Sequence, residues 1–164
     1  NESQWGLPSP GKTVSPAEDK IRDNVEKGLQ LICMAEGGAD CTDCTGGRDA
    51  PQVAATFAFT IGIPESAYSS IYDGSWPDDG NEPYGVVHSF ATSGTVRGAG
   101  KFCLAWCLDR CGYLKIDTHP NNKPMRSLLE KCGFTYRMEK PWTSSMGDTR
   151  NSLYYSINRE DYYK

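Results

Sequence analysis

Apolar residues in the middle of the chain recur at every second position. In the stretch 53–63 one face of a strand would carry Val53, Ala55, Phe57, Phe59 and Ile61, and smaller residues would line the other. This alternation predicts a strand in a sheet that helices cover on one side. Further strands are predicted at 29–35, 84–92, 113–118, 134–140 and 152–157.

Apolar residues take on helical spacing after the predicted strand at 84–92. One helix is predicted at 101–110 and another at 123–131, where Asn122 stands at the N-cap position. The second helix has apolar residues at i, i+3, i+4 and i+7, namely Met125, Leu128, Leu129 and Cys132. The order of strand, turn, helix, strand, helix and strand predicts an α/β fold with parallel pairing near the turn at 96–101.

A further helix is predicted near the N-terminus. Ser15 and Glu18 form a capping box with Pro16 at the first helical position. The inner face of this helix would carry Ile21, Val25 and Leu29.

Length and charge narrow the class of protein. The 164 residues are 38% hydrophobic and 23% charged, which predicts one globular domain over residues 1–164. A net charge of -4 argues against binding to nucleic acid or to an acidic membrane, because both need a basic surface. No apolar run approaches the roughly 20 residues of a membrane span, and residues 1–10 lack a signal-peptide pattern. These features predict a cytoplasmic protein.

The chain has seven cysteines, an odd number that favours free thiols. Cys103, Cys107 and Cys111 are spaced to share one helix face, where we expect them to act as small buried residues. Cys41 and Cys44 form a CxxC pair in a Gly-rich loop, which is a weak signal for zinc or redox chemistry without a second pair nearby. We predict a plain loop there and no metal site.

A glycine-rich turn, Val96-Arg97-Gly98-Ala99-Gly100-Lys101, opens directly into the apolar helix. Glycines let the backbone approach a ligand closely, and the unpaired amides of a first helical turn attract anions. The turn predicts a phosphate site. The Ser or Thr that follows the P-loop lysine is missing, and so is the third glycine of a dinucleotide-binding motif.

A larger block resembles the GNAT superfamily of acyl-CoA-dependent N-acyltransferases, in its bacterial single-domain members. In order and spacing the similar segments are 88–92, 97–100, 114–119, 122–125 and 131–134, and the resemblance covers roughly residues 53–140. It implies a three-layer αβα sandwich whose mixed sheet has splayed parallel central strands, with acetyl-CoA in the gap. A looser match at residues 4–8 implies that the family's first strand and helix are missing.

The resemblance also implies residues for the cofactor. The strand segment Phe90, Ala91 and Thr92 would offer its backbone to the pantetheine amides. The phosphates would meet the amides and positive charge of Arg97, Gly98, Ala99, Gly100, Lys101, Phe102 and Cys103. Asn122, with Met125 in the same block, would lie near the thioester, although a plain helix cap explains Asn122 equally well.

Three positions depart from the family pattern. Phe102 occupies a position where the family has a small residue, so its side chain must point away from the phosphates. Leu129 aligns with the tyrosine that many members use to protonate the departing thiolate, and leucine cannot donate a proton. Ser89 replaces a basic residue that commonly follows the histidine at position 88 in related sequences. The resemblance therefore does not define which residues surround the acceptor.

Direct transfer to an amine needs a base that accepts a proton. Asp117 and His119 alternate at the end of a strand and form the preferred pair, although a local turn explains them as well. His88 and Glu65 are the other candidates, and a structural histidine and a solvated loop residue are their simpler interpretations. Four aromatic residues are candidates to line an acceptor pocket, although packing against the sheet is their simpler interpretation: Tyr68, Tyr72, Trp76 and Tyr84.

The leading hypothesis is an acetyl-CoA-dependent N-acetyltransferase that acts on a primary amine of a small molecule or peptide. The alternative is a noncatalytic acyl-CoA-binding domain, which the leucine at 129 and the phenylalanine at 102 suggest. A weaker third hypothesis is a redox or metal-binding module that uses the CxxC pair. The acceptor itself is left open, and so is a homodimer as the assembly.

Overall fold

The fold is built on one mixed sheet of six strands. The computed structural model describes residues 18–36, 50–62, 68, 83–143 and 149–164. The strands are β1 (Gln30–Ala35), β2 (Gln52–Ile61), β3 (Gly85–Thr92), β4 (Tyr113–Thr118), β5 (Thr135–Thr143) and β6 (Thr149–Asn158). Their order across the sheet is β1-β2-β3-β4-β6-β5, and only the central pair β3 and β4 is parallel. The predicted α/β fold with a parallel central pair is confirmed.

The helices of the described parts are α1 (Glu18–Glu26), α2 (Ala99–Cys111), α3 (Lys123–Lys131) and α4 (Arg159–Tyr162). Helix α2 begins two residues before the prediction, directly after Gly98, and α3 has its predicted bounds. The short α4 was not predicted. Its N-cap is Asn158, whose side-chain oxygen accepts a hydrogen bond from the Asp161 amide at 2.7 Å.

Apolar residues pack on both faces of the sheet. The larger cluster joins the sheet to α2 and α3 and includes Phe57, Leu104, Leu108, Leu114, Ile116 and Leu129. A smaller cluster contains Tyr68, Tyr84, Val86, Met138 and Tyr154, with Tyr113 packed against it. Neighbouring residues of β3 and β4 belong to different clusters, since successive side chains of a strand point to opposite faces. The two faces of the parallel pair are therefore lined by different kinds of residue.

Several sequence expectations about burial were wrong. Ala54 and Ala58 are buried, so β2 is covered on both faces, while Val53 and Ile61 at its ends are exposed. No residue of α1 is buried, which contradicts the predicted inner face of that helix.

The cysteines of α2 follow the prediction. Cys103 and Cys107 are buried, and Cys111 is partly buried. Burial raises the pKa of the Cys103 thiol to about 12 and that of Cys111 to about 11. These thiols therefore stay protonated at neutral pH.

Some predicted features lie outside the described residues. They are the start of the first helix at Ser15, the segment 4–8, the pair Cys41 and Cys44, Glu65, Tyr72 and Trp76. In the described parts, no helix has the length and apolar character needed to cross a membrane. Nor does any group of three His, Cys, Asp or Glu side chains in these parts have the arrangement needed to hold a metal ion.

Candidate active site

The two parallel strands at the centre of the sheet separate soon after they meet. Their pairing consists of Gly85 with Leu114 and Val86 with Lys115. Beyond these pairs β3 runs on to Thr92 and β4 to Thr118 without further pairing between them. A cleft thus opens between 87–92 of β3 and 116–118 of β4, and the backbone edges along it are not used by the sheet. Such an edge can bond the amide groups of an extended ligand.

A bulge in β3 shapes one wall of this cleft. His88 pairs with Ala58 and Ala91 pairs with Thr56, so β3 has one residue more than β2 across this interval. Ser89 lies within the bulge at a φ of 51°, a left-handed conformation that is uncommon for residues other than glycine. The bulge changes which face the following side chain joins. Phe90 packs against the large cluster, where its ring lies 5.6 Å from that of Phe57.

The glycine-rich turn follows β3 and leads into α2. Gly98 is the N-cap residue, with φ 82° and ψ -5°, and no side chain caps the helix. Its carbonyl accepts a hydrogen bond from the Phe102 amide at 3.0 Å. Among the described residues, nothing accepts a hydrogen bond from the amides of Gly98, Gly100 or Lys101. The N-terminus of α2 therefore presents free donors together with the positive end of the helix dipole.

Two exposed cations flank these amides. Arg97 and Lys101 form no ion pair with any other described residue. An anion at this turn would therefore meet both hydrogen-bond donors and positive charge, which is the arrangement that binds phosphate groups.

A polar cluster lies where the strands separate. His88 and Asp117 each stand two residues beyond the last paired residues, so both side chains are on the face of the smaller cluster. His88 Nδ1 lies 3.9 Å from Asp117 Oδ1. The hydroxyl of Tyr68 donates a hydrogen bond to the same carboxylate oxygen at 2.8 Å. The side chains of His88 and Asp117 are 31% and 16% exposed, so solvent reaches both of them.

Two further buried groups surround this cluster. Burial raises the pKa of Tyr154 to about 12, and the charge of Asp117 adds to this increase. The ammonium group of Lys115 lies 4.0 Å from the centre of the Tyr84 ring, a cation–π contact within the smaller cluster. The face of the sheet that carries Asp117 is therefore aromatic and contains charged groups of both signs.

Comparison with known proteins bears on the fold. No protein-family model and no curated protein sequence matches the chain. Its structure is similar to that of a GNAT-family acetyltransferase from Streptococcus agalactiae, with a TM-score of 0.62 and 22% identity over 88% of this chain and 73% of that one. The chain has the GNAT fold. A second similar structure is Arabidopsis thaliana NAA60 in complex with a bisubstrate analogue, with a TM-score of 0.57 and 13% identity over 86% of this chain and 82% of that one.

Within the GNAT fold of this chain, the predicted residues of the cofactor strand and turn fall along one path. Phe90, Ala91 and Thr92 lie in the part of β3 that does not pair with β4, and the last two are exposed. The chain then reaches the turn at 97–101. The Phe102 side chain is 61% exposed, and the Cys103 side chain is buried in the large cluster. The Cys103 side chain therefore does not face a ligand at the turn.

Gly100 has a packing role that the sequence did not indicate. A Cβ at Gly100 would lie 2.9 Å from Leu128 Cδ2, so glycine allows α2 and α3 to approach closely. This contact joins the turn to the second helix of the predicted site. At the start of that helix, Asn122 caps α3 by accepting a hydrogen bond from the Met125 amide at 3.2 Å. Met125 itself is buried.

The side chains of the preferred pair, Asp117 and His119, have separate hydrogen-bond partners. His119 follows the end of β4, where its Nδ1 accepts a hydrogen bond from the Asn121 amide at 3.0 Å. In the described parts of the chain, no hydrogen bond or ion pair joins it to Asp117. The partners of Asp117 are instead Tyr68 and His88. The sequence placed Tyr68 only in an aromatic segment, because a contact over 49 residues leaves no local pattern.

Leu129 is fully buried in the large cluster. This position therefore supplies packing between α3 and the sheet. It supplies no proton donor to the cleft.

Proposed function

We propose that the protein transfers an acetyl group from acetyl-CoA to a primary amine of a small molecule or peptide. The observation that carries the proposal is the position of the cleft between β3 and β4. The free amides at the start of α2 come shortly after the end of β3, which forms one wall of this cleft. His88 and Asp117 lie where the two strands separate. The GNAT acetyltransferase fold, seen in the S. agalactiae protein, supports the same reaction class.

The residues of the turn fit the diphosphate of coenzyme A. Arg97 and Lys101 would offset its negative charge, and the amides of Gly98 and Gly100 would donate hydrogen bonds to its oxygens. The unpaired edge of β3 at 90–92 would bond the amides of the pantetheine arm. Bound in this way, acetyl-CoA supplies an activated thioester carbonyl to the cleft.

The base of the reaction is proposed to be the pair of His88 and Asp117. A neutral amine forms a bond from its nitrogen to the acetyl carbon, the bond from that carbon to sulfur breaks, and the amine proton must leave. His88 would accept this proton, and the carboxylate of Asp117 would stabilise the imidazolium ion that results. The buried Leu129 supplies no acid for the departing sulfur, so water is the proposed source of its proton.

His119 and Glu65 stay as predictions for catalysis. His119 already uses Nδ1 in the turn before α3, and Glu65 lies outside the described residues. A contact of Asn122 with the cofactor is compatible with its capping bond, because the cap uses only one lone pair of the side-chain oxygen.

The test is an acetyl-transfer assay with a panel of small amines and peptides with free N-termini. We expect thiol release from acetyl-CoA that depends on the amine, with a product that mass spectrometry identifies as the acetylated amine. The Asp117→Asn variant is the negative control, because it keeps the shape of the side chain and removes the charge of the proposed base. We expect it to release thiol more slowly than the wild type. Tight binding of CoA without transfer to any amine would contradict the proposed catalysis.

A noncatalytic acyl-CoA-binding domain is the second candidate function. The buried Leu129 favours it, because the position that carries an acid in many GNAT enzymes has no proton donor here. Calorimetry with CoA, run beside the transfer assay, separates the two functions. Binding without turnover supports the binding domain, and absence of binding contradicts both functions.

Location and assembly remain proposals as well. Cys33, Cys103, Cys107, Cys111 and Cys132 are free thiols. Free thiols are typical of a reducing compartment such as the cytoplasm, where we propose that the protein acts. A homodimer is the assembly to test by light scattering.

A further inference from the structure

Tyr68 is buried at the centre of the smaller cluster, with no exposed surface. Its ring makes an edge contact with Tyr154 at 5.6 Å between centres and lies 6.2 Å from the ring of Tyr84. Packing on these sides fixes the direction in which its hydroxyl points. That hydroxyl reaches Asp117 Oδ1 across 49 residues of chain at 2.8 Å, within the range of a strong hydrogen bond.

The same oxygen of Asp117 faces His88. Because Oδ1 lies 2.8 Å from the Tyr68 hydroxyl and 3.9 Å from His88 Nδ1, the hydrogen bond from Tyr68 sets the rotamer of the carboxylate relative to the imidazole. The ring of Tyr68 also lies 6.4 Å from that of His88, which limits the space into which the imidazole can turn. One buried side chain thus contacts the carboxylate and borders the imidazole.

We propose that Tyr68 is a positioning residue, whose hydroxyl holds the Asp117 carboxylate against His88 so that the two groups accept the acceptor's proton as one unit. This inference rests on the proposed function of the site. Tyr68 does not itself exchange a proton with the acceptor. Its effect on the reaction passes through Asp117, which distinguishes it from a catalytic residue.

The experiment compares Tyr68→Phe with a matched control, Tyr155→Phe. Both variants lose one tyrosine hydroxyl and keep the ring. Tyr155 is buried on the opposite face of the sheet, in the large cluster, where it pairs with Ile116 of β4. It touches none of the groups in the proposed base. Affinity for CoA, which depends on the turn at 97–101, checks that each variant is folded.

The first measurement is kcat, in a double-mutant cycle with Asp117→Asn. We expect Tyr68→Phe to lower kcat by about 10- to 100-fold, the factor that corresponds to one hydrogen bond to a charged group, and to leave the KM for acetyl-CoA unchanged. In the Asp117→Asn background the same change should lower kcat by less than about twofold, because the carboxylate through which Tyr68 acts is gone. Equal factors in both backgrounds would overturn the proposal, as would an unchanged kcat in the single variant.

The second measurement does not depend on turnover. The chain has two histidines, so the imidazole resonances of His88 can be assigned with a His88→Gln variant, and His119 serves as an internal reference. We expect the His88 resonances to shift in Tyr68→Phe and to stay in place in Tyr155→Phe, with His119 unchanged in both. Unshifted His88 resonances in Tyr68→Phe would refute the positioning role. If the wild-type protein acetylates no amine while the His88 resonances shift as expected, the proposed reaction fails and the positioning of the pair stands.

Discussion

Substitution of Gly98 is the most direct test of the proposed diphosphate site at the turn. Its φ of 82° is left-handed, and a Cβ added there would meet no atom within 4 Å. The cost of Gly98→Ala is therefore conformational strain without a steric clash, about 1–2 kcal/mol for an L-residue in this region. For a chain of this length such a loss lowers Tm by roughly 2–8 °C.

Gly94 offers a matched control. Its φ is 81° and an added Cβ there also meets no atom within 4 Å, so Gly94→Ala should lose the same stability. Of these two glycines, only Gly98 contributes an amide to the proposed diphosphate site. Relaxation of the strained turn should turn that amide away, so Gly98→Ala should weaken CoA binding by about 10-fold, which equals about 1.4 kcal/mol and one hydrogen bond to a charged acceptor.

The assay combines urea unfolding with calorimetric titration of CoA, for the wild type and both variants. We expect equal losses of unfolding free energy in Gly98→Ala and Gly94→Ala, and a loss of CoA affinity only in the first. Gly98→Asn should lie between wild type and Gly98→Ala in stability, because asparagine tolerates the left-handed region better than alanine. Equal effects of the two alanine variants on CoA affinity would refute the assignment of the diphosphate to this turn.

Three further predictions concern the base, the core and the thiols. Asp117→Asn should lower kcat by about 10²- to 10⁴-fold, the usual contribution of acid–base catalysis, and leave the Kd for CoA unchanged in calorimetry; an unaltered kcat would exclude it from the base. Gly85→Ala should reduce the unfolding free energy by about 1–3 kcal/mol in urea titrations, because its Cβ would lie 2.7 Å from Cys111 Sγ and 2.8 Å from Phe59 Cε2. An unchanged unfolding free energy would show that β3 shifts to make room for the methyl group. Burial raises the pKa of the Cys103 thiol from its ordinary value of 9.0 to about 12 in the folded protein, so its contribution to stability is complete below about pH 9 and is lost as the pH rises toward 12. Cys103→Ala should reduce this pH dependence in unfolding measured at several pH values.

Local patterns predicted the elements and the turn well. The i, i+3, i+4 and i+7 spacing of α3 and its Asn122 cap are properties of neighbouring residues, and the helix has the predicted bounds. Strand β4 also has its predicted bounds for the same reason. The start of α2 differed by two residues because the left-handed Gly98 ends the turn and lets Ala99 begin the helix.

Local patterns could not predict contacts between residues that are far apart in the sequence. The spacing at the end of β4 suggested His119 as the companion of Asp117, yet His119 is held in the turn by the Asn121 amide. The side chains that meet Asp117, Tyr68 and His88, come from segments far away along the chain. Burial of β6 could not be inferred either, because its place between β4 and β5 depends on the strand order.

The alternation of faces along β3 and β4 has a consequence for how such a protein can diversify. Leu114 and Ile116 anchor the helices that carry the turn, whereas Lys115 and Asp117 project from the other side of the same strand. In the proposed reaction, substitutions among the aromatic residues of that second side should therefore change which amine is accepted and leave the residues of the turn in place. We therefore expect a library of variants restricted to the second side to change the preferred amine of the proposed reaction with little loss of affinity for CoA.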